Sequence, residues 1–269
     1  MSLNYSEIQK YISQARLQHY ENICCAEPRK TLKLYQTNLR LSQAFYPILS
    51  LFEVILRNAI DFELTLLFSD SNWLINQQSG FMSHPSFTYT DRRTGAIRHN
   101  HFLKNSVAKS ITDLGAASTH GKIIADLKFG YWTALFDITP YRILSGRPIQ
   151  IFSNLPAGAN RILVHQKLNR IRDFRNRIYH NEPIIFGKDT SGNATFDLSV
   201  AHQIYTDIKE CFIWLNLDFD KWTKRINNID FELERANRVM KHYPRFSYYC
   251  CRFSLGCKHY RRKYARINN

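Results

Sequence analysis

From Phe45 to about Phe68 the chain is apolar on nearly every side of a helical wheel. One narrow polar stripe interrupts it, made of Ser50, Glu53, Arg57 and Asp61 with Asn58 beside it. The run continues a helical stretch that opens near Thr31, a candidate N-cap, and passes Pro47. A helix this apolar is expected to be buried, and a polar ladder on a buried helix needs partners, because an unpaired polar group away from water costs free energy. Glu53, Arg57 and Asp61 could satisfy one another at i,i+4 spacing. Alternatively, Glu53 or Arg57 faces a second helix and orients it. Gly and Pro number only 10 and 8, which favours long helices over a turn-rich β architecture, and 44% hydrophobic residues can fill a sizeable core. The expected class is all-α: a helical bundle with short hairpin or loop insertions and a basic C-terminal tail.

The second helix of interest runs from Arg161 towards Pro183. Leu168, Ile171, Phe174 and Ile178 form its apolar stripe at three- and four-residue spacing. Arg175 lies at the edge of that stripe, followed round the wheel by Tyr179, Arg172, Asn176 and His180. Asn176 and His180 are i,i+4 neighbours. Pro183 is expected to end the helix, since the residue before a proline is pushed out of the α region. That places His180 in the last turn, where unpaired carbonyls favour a positive imidazole. Taken alone, such a histidine reads as a partner for the helix dipole.

Elsewhere, Tyr5, Ile8, Ile12 and Ala15 suggest an N-terminal helix ending near Cys24. Residues 69–100 turn polar, and Phe87, Tyr89, Ala96 and Ile97 could frame a hairpin around the Asp91–Gly95 turn. Helices resume over 101–117 and after Gly121, the latter carrying Leu127-Lys128-Phe129-Gly130-Tyr131-Trp132-Thr133. Those aromatics read as core packing ahead of base stacking. A turn-rich stretch over 140–158 leads to the central helix. A second small hairpin is expected between Ile184-Ile185-Phe186 and Ala194-Thr195-Phe196. Amphipathic helices then follow over Val200–Leu215 and from Phe219 to Met240. The economical division is one helical domain, residues 1–240, and a tail, residues 241–269.

Charge narrows the partners. Lys and Arg number 37 against 22 Asp and Glu, a net +15 that attracts polyanions, and the 14% aromatic content favours nucleic acid over an anionic membrane. The tail alone carries Lys241, Arg245, Arg252, Lys258, Arg261, Arg262, Lys263 and Arg266 with no acidic residue. Tyr249, Phe253, Cys257, Tyr260 and Tyr264 interleave with them at helical spacing. The tail is thus either a docked helix with a solvated charged face, a frayed end, or a phosphate-tracking surface with aromatic faces for unpaired bases. No run of eighteen apolar residues occurs, which argues against a spanning helix, and residues 1–7 lack the apolar region of a secretory signal. Four of the six cysteines fall in two adjacent pairs, Cys24-Cys25 and Cys250-Cys251, which do not suggest a disulfide framework. A reduced cytoplasmic setting without membrane association is expected. Cys250, Cys251, Cys257 and His259 have poor zinc-ligand spacing, and no glycine-rich phosphate loop appears, so no metal and no cofactor are expected.

Three stretches carry a resemblance. Arg175-Asn176-Arg177-Ile178-Tyr179-His180-Asn181-Glu182-Pro183 resembles the Arg-Asn-x-x-x-His signature of HEPN-superfamily ribonucleases, and more closely that of Abi-type (abortive infection, phage resistance) proteins. Phe52-Glu53-Val54-Ile55-Leu56-Arg57-Asn58-Ala59-Ile60 resembles the Glu-x-x-Leu-Arg-Asn segment of the same branch, and Leu127–Thr133 is the third match. Together they span roughly Leu32 to Leu215. The resemblance implies a HEPN-like bundle and a metal-independent endoribonuclease acting in phage defence or as a toxin. Arg175, Asn176 and His180 would be catalytic, Arg172, Arg177 and Tyr179 would contact RNA, and Glu53, Arg57 and Asn58 would support the motif. It also implies a homodimer, and an RNA or protein antitoxin as a further partner. The chain departs from many Abi-type proteins in having Asn181 where they carry a second histidine. The alternatives are a non-catalytic RNA- or DNA-binding protein of the same fold, or a structural dimerisation module.

If the tail tracks phosphates, deleting residues 241–269 lowers RNA affinity and flattens its dependence on salt, because fewer counterions are released on binding. The slope of log affinity against log salt measures this. An unchanged slope assigns the tail to packing instead.

Overall fold

The structure, a computed structural model, describes residues 5–24 and 27–241. The tail beyond Lys241, with its aromatic and basic residues, lies outside the described residues. The fold is mostly helical, with two short antiparallel hairpins as its only described sheet structure, as an all-α class requires. The chain divides into two compact units. The first combines the segment up to Pro47 with Arg177–Tyr205 and the segment from Ile226 onward; the second combines Ile48–Asn176 with Thr206–Arg225.

The first unit begins with α1 (Tyr5–Ile12) and α2 (Gln14–Cys24), two helices where one was expected. The break is Ser13, whose φ of 72° no helix accepts. Its hydroxyl accepts from the Arg16 amide at 3.4 Å, so it caps α2. Buried Glu21 on α2 gathers Tyr5 Oη, Gln9 Nε2 and Gln14 Nε2 within 3.1 Å and thereby ties α1 to α2. Helix α3 (Pro28–Phe68) is continuous through Pro47, as expected, and starts three residues before Thr31 with proline in its first turn. Its Leu34, Leu41, Ala44 and Phe45 face the core of this unit.

The second unit contains the rest of α3. Leu56, Ile60 and Leu64 are buried there, but Val54, Phe62 and Leu66 are exposed. The expectation that this run is wholly buried is therefore corrected: one apolar face is packed and the other open. Because the helix is so long, it is also the one described helix apolar enough by length and composition to cross a membrane, with a mean hydropathy of 1.3 over its most apolar stretch. Helix α4 (Trp73–Asn76) and a hairpin follow, β1 (Thr88–Thr90) pairing with β2 (Ile97–His99) in the register Tyr89 to Arg98. Asp91 organises the hairpin turn by accepting from the amides of Arg93 and Thr94, contacts that hold its carboxyl below the ordinary range. Then come α5 (Phe102–Leu114), α6 (His120–Asp126), α7 (Phe129–Ala134) and α8 (Ile138–Ile143). The helix expected after Gly121 is split between α6 and α7, where Leu127 and Lys128 leave the helical region. Phe129, Tyr131 and Trp132 are buried, so the aromatics here do pack the core.

Helix α9 (Arg161–Tyr179) is capped at its start by Asn160, whose Oδ1 accepts from Ile162 and Leu163 amides. Val164, Leu168, Ile171, Phe174 and Ile178 form its buried stripe. The hairpin of β3 (Phe186–Lys188) and β4 (Ala194–Phe196) follows in the first unit, with Phe186 edge-on to Tyr20 at 5.1 Å. Helix α10 (Ser199–Trp214) comes next. The single helix expected after Phe219 is two, α11 (Phe219–Thr223) and α12 (Ile229–Lys241).

In the second unit α9 and α10 are joined by a buried charge cluster. Asp207, fully buried, accepts from Lys167 Nζ at 2.6 Å and Arg170 Nε at 2.8 Å, and Glu210 takes a second contact from Lys167 at 2.5 Å. Burial alone would lower the Lys167 pKa, but Asp207 and Glu210 outweigh it and hold it above the ordinary value. Asp207→Ala is expected to destabilise the fold by about 3 kcal/mol or more, because it strips a buried cation of its deepest partner. Denaturant unfolding measures the loss, and a change below about 1 kcal/mol would show that Glu210 alone suffices.

Candidate functional site

In the second unit three of the segments singled out by sequence come together. Glu53 on α3 and Arg175 on α9, 122 positions apart, form an ion pair in which one carboxylate oxygen receives both Nε and Nη2 at 3.2 Å. Their side chains are 13% and 21% exposed, so the pair is screened from most solvent. A charge-assisted contact of this kind fixes the guanidinium plane, which a lone surface arginine would not have. Nη1 of Arg175 also approaches Asn176 Oδ1 at 3.4 Å. On α7, Thr133 Oγ1 accepts from Arg172 Nη1 at 3.3 Å, and a Cβ at Gly130 would stand 3.9 Å from Arg172 Cδ. Arg172 is further held by Asp173 at 3.0 Å. Phe52, beside Glu53, meets Phe129 edge-on at 6.2 Å, so the same α3–α7 contact is also apolar.

The polar ladder of α3 does not satisfy itself. Glu53 goes to Arg175, Arg57 donates to the Ala125 carbonyl at 3.2 Å, and Asp61 accepts from Trp73 Nε1 and His120 Nε2, both at 2.8 Å. Of the three residues expected to support the motif, Glu53 alone contacts α9; Arg57 serves α6, and Asn58 is exposed. Arg57 Nε is buried without a hydrogen-bond partner among the described residues.

In the first unit, the end of α9 is shaped by its cap. The helix stops at Tyr179, four residues short of Pro183. Asn181 has a φ of 54°, its amide bonds the Ile178 carbonyl at 3.0 Å, and the Glu182 amide bonds the Arg177 carbonyl at 2.8 Å. This paired pattern is a Schellman cap with Asn181 in the left-handed position. The expected terminator is thereby corrected: a turn within the motif ends the helix before the proline acts, and His180 lies just past the last turn. Asn181 stands where a side chain must accept positive φ, which asparagine tolerates better than most residues.

Remote side chains fasten that turn. Arg16 Nη1 on α2 donates to the Asn181 carbonyl at 2.8 Å, Asn38 Oδ1 on α3 accepts from the Ile184 amide at 2.7 Å, and Arg177 donates to the Pro183 carbonyl. Arg177 also lies 3.8 Å from Glu182. It is thus committed to the backbone of the turn, where sequence had assigned it to RNA. Tyr179 stacks on Tyr46 of α3, and His180 is exposed, with no hydrogen-bond or ion-pair partner among the described residues. Arg16, Asn38 and Tyr46 were missed by the sequence reading, and Thr133, within the third matched stretch, was given no role of its own. Only Asn38 carried a signal, as an amide on the buried side of an amphipathic helix.

Among the described residues no group of three His, Cys, Asp or Glu side chains is arranged to hold a metal ion. No family model, curated protein or solved structure matches the chain.

The cap gives a direct test. Asn181→Gly is expected to leave stability nearly unchanged, since glycine adopts positive φ without strain. Asn181→Val is expected to cost about 1–2 kcal/mol. Thermal unfolding of the two variants checks this, and equal stabilities would remove the left-handed turn from the account.

Proposed function

We propose that the protein is a metal-independent endoribonuclease of HEPN type. The observation that carries the reading is the Glu53–Arg175 pair, because it joins two segments matched independently on sequence and presents an oriented guanidinium. Cleavage by this route begins when a base takes the proton from an RNA 2′-hydroxyl. The 2′-oxygen attacks the adjacent phosphorus, the bond to the 5′-oxygen breaks, and an acid protonates that leaving oxygen. The products are a 2′,3′-cyclic phosphate and a 5′-hydroxyl.

His180 supplies proton transfer, for which an exposed imidazole without a competing partner is suited. Arg175, oriented by Glu53, supplies positive charge that offsets the charge gathering on the phosphorane oxygens. Asn176 donates to a phosphate oxygen. Arg172 and Tyr179 contact the RNA strand, and the +15 net charge draws it in. One histidine per chain is short of the two proton-transfer groups the reaction needs, and a homodimer with two facing motifs would supply the second. Action in phage defence or as a toxin, held in check by an antitoxin, follows the resemblance. A non-catalytic RNA- or DNA-binding role is the competing reading, favoured by the same basic charge.

The experiment is incubation of wild type, Arg175→Ala and His180→Ala with single-stranded RNA and the matching DNA in EDTA, followed by analysis of the ends. Wild type should leave a cyclic phosphate on RNA and spare DNA, which lacks the attacking hydroxyl. His180→Ala should lose on the order of 10²–10⁴ in rate while keeping its fold. If His180→Ala cuts as fast as wild type, or DNA is cut equally well, the binding reading replaces this one.

A further inference from the structure

We infer that Tyr46 and Tyr179 form a two-ring shelf on which an unpaired base of the RNA stacks, next to His180. Tyr46 belongs to no motif matched on sequence. Its ring lies 5.2 Å from that of Tyr179, with the planes 20° apart, so the two are stacked nearly parallel. Both residues remain in part exposed to solvent, Tyr46 at 50% and Tyr179 at 37%. Tyrosines stacked only to fill a core would be covered. A stacked pair at the surface presents aromatic area to solvent, and bases of single-stranded nucleic acid stack on such aromatics without regard to sequence.

The location gives the shelf its meaning. Tyr179 is the last residue of α9 and His180 follows it directly. Beyond His180, the carbonyls of Asn181 and Pro183 are held by Arg16 and Arg177, so the backbone after the shelf is fixed. Tyr46 sits on the continuous helix α3, and its neighbour Phe45 is anchored in the core edge-on to Tyr205. Both rings therefore stand on well-held backbone. A base parked here places its own phosphate within a nucleotide or so of His180, which selects unpaired over duplex RNA because paired bases cannot reach the shelf.

The inference rests on reading single-stranded RNA as the substrate, and the test separates the two. RNA oligomers with 2′-O-methyl groups throughout cannot be cut by 2′-hydroxyl attack, so affinity can be measured apart from cleavage. One abasic residue is moved along the oligomer, and each version is titrated against wild type, Tyr46→Phe and Tyr46→Ala. Wild type is expected to lose about tenfold in affinity when the missing base is at one particular position. Tyr46→Ala should lose a similar amount on the intact oligomer and nothing more on the abasic one, while Tyr46→Phe, which keeps the ring, should bind like wild type. That non-additivity supports the shelf even if ordinary RNA is never cut, in which case the nuclease reading alone falls. If ordinary RNA is cut but Tyr46→Ala binds as wild type, or the abasic penalty is the same with and without the ring, the shelf is overturned and the nuclease reading stands. A Tyr46→Phe loss equal to that of Tyr46→Ala also overturns it, as does failure to bind any of the oligomers, with cleavage of ordinary RNA deciding the nuclease reading separately.

Discussion

A carboxylate on an apolar helix has to find a cation or be neutralised, and much of the second unit is arranged around how Glu53 does so. Its partner, Arg175, comes from a helix 122 positions later in the chain, and both side chains are largely withdrawn from water. Removing either would leave the other partly buried and unmatched, which costs far more than the net worth of the pair. The pair therefore acts as a register pin between α3 and α9. Around it the Phe52–Phe129 contact and the Thr133–Arg172 hydrogen bond bring in α7. Further along α9, Asp207 does the equivalent for α10 by drawing in Lys167 and Arg170. In this unit α9 is the element on which acidic groups from α3 and α10 converge through its arginines and a lysine.

The contrast between Arg175 and Arg177 shows how neighbouring cations of one motif divide the work. Arg175 is held by a side chain, the Glu53 carboxylate, which orients its guanidinium. Arg177 turns back on its own chain to the Pro183 carbonyl and stands near Glu182. The acidic and proline positions of the motif thus have a structural use in the first unit, independent of any reaction. The same is true of Asn181, whose value lies in its backbone conformation.

Much of the fold was legible because apolar periodicity dominates it. The stripe of α9, the two hairpins and α10 all follow from spacing that leaves few alternatives. What could not be read were the interruptions. Ser13, Asn181 and the Leu127–Lys128 break depend on single backbone angles, and serine or asparagine at positive φ is permitted by sequence and not demanded by it. The partners of the α3 ladder were legible as a need and not as an answer: the i,i+4 spacing of Glu53, Arg57 and Asp61 would have allowed self-pairing, yet each is claimed by a different helix or carbonyl. Arg16 was invisible for a related reason, and Asn38 was legible only as a buried amide in need of a partner. They act on backbone groups far along the chain, and a backbone amide or carbonyl leaves no mark in a sequence.

The Schellman cap after Tyr179 has a consequence for how this region can vary. Its hydrogen bonds run from amides to carbonyls, and two of its three outside clamps also grip carbonyls. Side chains at the turn can therefore change with little effect on its path, provided positive φ remains tolerable at position 181. Chain length cannot. One residue inserted or deleted between Tyr179 and Ile184 would put every clamp out of step at once, so the spacing from histidine to proline is held more rigidly than the identities of the residues between them.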